Sequence, residues 1–115
     1  MIFQPIVSGG RQTVPITVIN NGVYTGATVR YCQNGEPKTI TVPSEGGSSV
    51  ITVDKDAILA IGSLNFGART VSTTAGSVLF ANYNGDEQSG LDSYSRCIAA
   101  VFITDPGEIT ITTDG

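Results

Sequence analysis

The acidic side chains of this sequence are the groups whose spacing suggests chemistry. Asp54 and Asp56 flank Lys55, and Asp86, Glu87 and Asp92 gather in the segment NGDEQSGLDS. A carboxylate pair can cleave a glycosidic bond, one acid protonating the leaving oxygen while the other serves as base or nucleophile. No imidazole is needed for that. Asn82, Asn84 and Asp86 alternate with Asp92 beyond them, and hard oxygen donors at such spacing suit calcium. Plainer readings are stronger in each case. Asp54 and Asp56 sit at a strand end, where charged residues mark a solvated turn. The loop acids lie in an aromatic-poor stretch that offers no wall for a sugar ring. The 82–92 run lacks the Asp-rich start and the terminal bidentate Glu of an EF-hand, and Asn-Gly-Asp is ordinary turn chemistry.

Other routes to catalysis are narrower still. The chain contains no histidine, so the commonest general base and metal ligand near neutral pH is missing. No Gly-x-Ser-x-Gly elbow is present to present a serine nucleophile. Cys32 and Cys97 are distant in sequence and form no Cys-x-x-Cys motif, which argues against a zinc or thioredoxin-type site. They read as two small buried thiols, with a Cys32–Cys97 disulfide as the alternative. The expectation is therefore a protein that is not an enzyme, with no cofactor and no metal.

Ten acidic and six basic residues give a net charge of −4. The basic residues are scattered along the chain, so there is no stripe to displace counterions from a phosphate backbone. Nucleic acid and anionic membrane surfaces are both disfavoured as partners. No apolar run approaches the ~20 residues that span a bilayer. Met1–Gly10 lacks a basic n-region and an apolar h-region, so no signal peptide is expected there.

The elements that carry these residues follow from alternation and turn chemistry. A chain of 115 residues with 14 glycines and 5 prolines fits one turn-rich, all-β domain. Residues 1–10 read as an extended arm ending at Gly9-Gly10, and 11–115 as the folded domain. From Thr13 to Asn20, Val14, Ile16 and Val18 share one face; Asn20-Asn21-Gly22 ends the run because Asn and Gly tolerate positive φ. Asn34-Gly35 lies between two alternating stretches and predicts a type I′ hairpin. Pairing about it sets Ala27 against Val42, Val29 against Ile40 and Tyr31 against Lys38, leaving Thr28, Arg30 and Cys32 on the other face. Ser44–Ser48 is a loop and Ser49–Asp54 a strand. The apolar run Ala57–Ile61 reads as a buried strand, Asn65–Ser72 and Gly76–Tyr83 as weaker ones. Arg96–Thr104 is apolar on both faces and belongs inside a sheet. Glu108–Thr113 closes the chain. The expected architecture is a single antiparallel β-sandwich of eight or nine short strands, Ig-like or jelly-roll-like.

Recognition by such a domain falls to exposed aromatic and apolar groups. Tyr83 and Tyr94 bracket the long polar loop and are candidates for a binding surface. Ile2, Phe3 and Ile6 in the arm are candidates for adding a strand to a neighbour's sheet. The opening MIFQPIVSGG and TVPITVINN, with ATVRYCQNGEPKTITV and SSVITVDKDAILAIGS after them, resemble small β-domain structural proteins of tailed bacteriophages and prophages. The resemblance covers Met1 to about Ser63 and brings no catalytic residues. It implies a virion component: a head decoration, neck, baseplate or fibre-associated domain made in the bacterial host cytoplasm. Such a component would assemble with other virion proteins or with itself as a homo-oligomer. The alternative is a bacterial surface or carbohydrate-binding module whose partner is a glycan.

Overall fold

A computed structural model of the protein describes residues 12–22, 26–63, 70–81 and 97–112. Nine strands run through them: β1 (Thr13–Asn20), β2 (Ala27–Gln33), β3 (Glu36–Val42), β4 (Gly47–Asp54), β5 (Ala57–Ser63), β6 (Thr70–Thr73), β7 (Gly76–Ala81), β8 (Cys97–Ile103) and β9 (Gly107–Thr112). A four-stranded sheet has the order β4-β1-β9-β6, and a five-stranded sheet the order β3-β2-β5-β8-β7. The chain changes sheet at every connection except the β2–β3 and β7–β8 links. Two sheets facing each other over one core make a β-sandwich, the expected all-β class.

Period-two alternation selects the buried face of each strand. On β1, Val14, Ile16 and Val18 are buried. They meet Ile51 and Val53 of β4, Ile109 and Ile111 of β9, and the inward residues Val29, Leu59, Ile61, Val101 and Ile103 of the other sheet in one cluster. Fully burying an aliphatic side chain of this size is worth about 1.5–3 kcal/mol. The β2–β3 register is the one the Asn34-Gly35 turn dictates: Ala27 faces Val42, Val29 faces Ile40 and Tyr31 faces Lys38. Asn34 and Gly35 have φ of 55° and 80°, both in the left-handed region that a type I′ turn requires.

Several local expectations are corrected. β1 and β9 pair in parallel, with Ile16 beside Gly107 and Asn20 beside Ile111, so the sandwich is not wholly antiparallel. A parallel pair needs a long connection, and here everything between the first and last strands supplies it. β4 starts at Gly47, inside the expected loop, because the ladder with β1 extends to the pair Asn20 and Gly47, and only glycine fits there against the Pro43 carbonyl. Ala57–Ile61 is not buried on both faces: Leu59 and Ile61 point inward while Ile58 is 56% exposed. On β3, Lys38 and Thr39 are exposed and Ile40 is half-buried, since β3 is an edge strand with a neighbour on one side only. β1 ends at Asn20, whose side-chain Oδ1 accepts the Gly22 N–H at 2.9 Å in an Asx-turn.

The disulfide is also absent: Cys32 is a free, half-buried thiol. Cys97 pairs with Gly62, and Gly62 with Thr28, which puts Cys97 two strands across and four residues along from Cys32. Strand spacing and rise make that roughly 16 Å between Cα atoms, far beyond the ~7 Å a disulfide tolerates.

Candidate functional site

Among the described residues, the exposed large apolar side chains are Val50 of β4 on the four-stranded sheet and Ile58, Val78 and Leu79 on the five-stranded sheet, where three of the four gather. Ile58 of β5 is 56% exposed and stands across from Phe102 of β8, which in turn faces Ser77 of β7. One step along the same face, Ala60 is flanked by Arg30 of β2 and Ala100 of β8. Among the described residues, β7 has β8 on one side and no strand on the other. Its register slips between Val78 and Phe80, which makes Leu79 an extra residue with no partner of its own on β8. A bulge of this kind bends an edge strand and re-aims its side chain. Leu79 is 51% exposed and Val78, next to it, 36%. Ile58, Phe102 and Ala60 thus form an apolar strip on the outer face between Arg30 and Ser77, and Leu79 is exposed at the bulge of the edge strand. An apolar strip on an unpaired edge is a surface suited to another protein.

Polar residues elsewhere in the described structure hold the fold. Asp54 is 2% exposed; its Oδ1 accepts the Asn34 N–H at 2.6 Å and its Oδ2 the Gly35 N–H at 2.9 Å. This corrects its reading as a solvated turn residue, which fits only Asp56, an exposed neighbour whose Oδ2 lies 3.4 Å from Lys55 Nζ. Asp54 sits at the end of β4 and grips a hairpin of the opposite sheet, so the two acids share no reaction centre. Asn20, 1% exposed, donates from Nδ2 to the Val42 carbonyl at 3.0 Å and accepts the Gly22 N–H at 2.9 Å. Its own carbonyl accepts the Gly46 N–H. Each of these side chains ties one sheet to the other.

A shallow hollow between β6 and β9 is lined by Ser72, Thr73, Thr74, Glu108 and Thr110. The hydroxyls of Thr73 and Thr74 are committed to the β6–β7 connection. Thr73 Oγ1 donates to the Glu108 carbonyl and accepts the Ala75 N–H, both at 2.9 Å, while Thr74 Oγ1 accepts the Glu108 N–H at 3.0 Å. No group of three or more metal-binding side chains occurs among the described residues. No helix there is long and apolar enough to cross a membrane.

Of the sequence-derived candidates, Ile2, Phe3, Ile6, Tyr83 and Tyr94 lie outside the described residues, as do the loop acids Asp86, Glu87 and Asp92. Alternation does not reveal the strip around Ile58, because a run of apolar residues gives no sign of which sheet face is left open. Asp54 was missed for a different reason. Its partners are two backbone N–H groups brought to it by folding. No family model, curated protein or solved structure matches this chain.

Proposed function

We propose that this protein is a non-enzymatic structural module of a phage or prophage virion, acting through protein–protein assembly. The observation that carries the assembly reading is the outer-face strip of Ile58, Phe102 and Ala60 together with exposed Leu79 on β7, an edge strand among the described residues. Main-chain groups along that edge can pair with a neighbour's strand while the strip supplies buried apolar contact. The virion assignment rests on the resemblance of residues 1–63 to tailed-phage β-domains. A head decoration, neck, baseplate or fibre-associated position all suit a repeated sandwich of this size.

The test has two parts. Particles released by induction of the producing bacterium are purified on a gradient and their proteins identified by mass spectrometry; the chain is expected to co-sediment with them in multiple copies. Assembly is then compared between the native chain and an Ile58→Lys, Leu79→Lys double variant by light scattering and cross-linking to particle proteins. The double variant is expected to lose association while remaining folded. Particles devoid of the chain would overturn the virion role, and undiminished association of the variant would overturn the strip.

A further inference from the structure

The β2–β3 turn carries an Asn-Gly pair whose covalent chemistry the fold holds in check. In a flexible chain this pair cyclises readily, because glycine has no side chain to hinder its amide nitrogen. The Gly35 nitrogen attacks Asn34 Cγ: the N–Cγ bond forms, the Cγ–Nδ2 bond breaks, and ammonia departs carrying the Gly35 amide proton. Water then opens the cyclic imide at either carbonyl to leave aspartate or isoaspartate at position 34. Water is the sole co-reactant, and nothing is oxidised or reduced.

Both residues are exposed to water, yet the geometry opposes ring closure. With φ of 55° and 80° they occupy the central positions of a type I′ turn, in which the first has ψ of about +30°. That ψ puts the Gly35 nitrogen on the far side of the Cα–C bond from the Asn34 Cβ, whereas the ring needs the two nearly eclipsed. Rotating the nitrogen round would also pull the Gly35 N–H away from Asp54 Oδ2, 2.9 Å away, while Oδ1 holds the Asn34 N–H at 2.6 Å. Asp54 is itself buried at the end of β4, a strand of the opposite sheet.

We propose that Asn34 is a deamidation site latched shut by Asp54, so that it converts only in molecules whose β2–β3 turn has opened. Conversion is self-sustaining once it happens. The product places a new carboxylate beside that of Asp54, and isoaspartate lengthens the backbone by one atom, so the latch does not re-form as before.

The full chain is incubated in mildly alkaline buffer, native or unfolded in guanidinium chloride, and deamidation is followed by mass spectrometry of the tryptic peptide spanning residues 31–38. Native protein is expected to convert at least about ten-fold more slowly than unfolded protein, the ratio reporting the rarity of local opening. Asp54→Asn and Asp54→Ala variants that still melt cooperatively are expected to convert several-fold faster than the native chain. Equal rates in native and unfolded protein overturn the proposal, as does a folded Asp54 variant that converts no faster than the parent. Should neither variant fold, hydrogen exchange at the Gly35 amide of the parent decides: protection matching the neighbouring strand amides supports the latch, and free exchange removes it.

Discussion

Asn20 and Asp54 each bury a polar side chain at the boundary between the sheets and satisfy it with main-chain partners distant in sequence. Removing such a group leaves its partners buried without their bond, which costs more than a bond's net worth. Asn20→Ala, which removes one of the bonds to the Val42 carbonyl and takes away the acceptor of the buried Gly22 N–H, should lower unfolding free energy by about 1–3 kcal/mol. Urea denaturation reads that loss directly. Asn21→Ala, at an exposed neighbour whose backbone N–H bonds the Ile111 carbonyl, should change it by no more than about 0.5 kcal/mol. Ile16→Ala, at a fully buried site in the core, should cost about 2–5 kcal/mol by opening a cavity; calorimetry would show it as a lower melting temperature. Buried apolar positions such as Ile16 were legible in the sequence because alternation alone identifies them. The two polar residues were not. Their roles depend on which backbone groups arrive from the other sheet, and local pattern holds no record of that.

Among elements, the β2–β3 hairpin shows how far local chemistry reaches. Asn34-Gly35 determined the turn type, and the turn type determined the register, residue by residue. Gly35→Ala forces a Cβ into the left-handed region and should destabilise the chain by about 1–2 kcal/mol, measurable in the same urea titration. β7 is the contrasting case. Its bulge at Leu79 is a property of the register with β8, which alternation does not encode. Leu79→Lys should alter stability by no more than about 0.5 kcal/mol while reducing association in light scattering. A larger loss of stability would show that Leu79 packs within its own chain. The same distinction explains β5, whose unbroken apolar run looked buried on both sides although Ile58 emerges on an open face.

At the level of the whole molecule, composition and the spacing of turns sufficed for the all-β class and the two-layer arrangement. The order of strands was beyond their reach, since alternation says which face of a strand is buried and nothing about which strand lies next to it. The chain crosses between layers at nearly every connection, so most pairings join residues far apart in sequence. Loop closure must then precede the contacts that reward it, and folding should take milliseconds to seconds rather than microseconds. Stopped-flow refolding from urea would check this; a microsecond phase recovering the full native signal would contradict it.

The side-by-side placement of β1 and β9, running the same way, also determines how the protein bears load. Tension applied between the start of β1 and the finish of β9 pulls these two neighbours past each other along their length. The rungs linking them are then strained together, in shear, instead of parting one after another like a zip. In an atomic-force pulling experiment the domain should therefore resist this direction more strongly than a pull across β2 and β3 from their open ends.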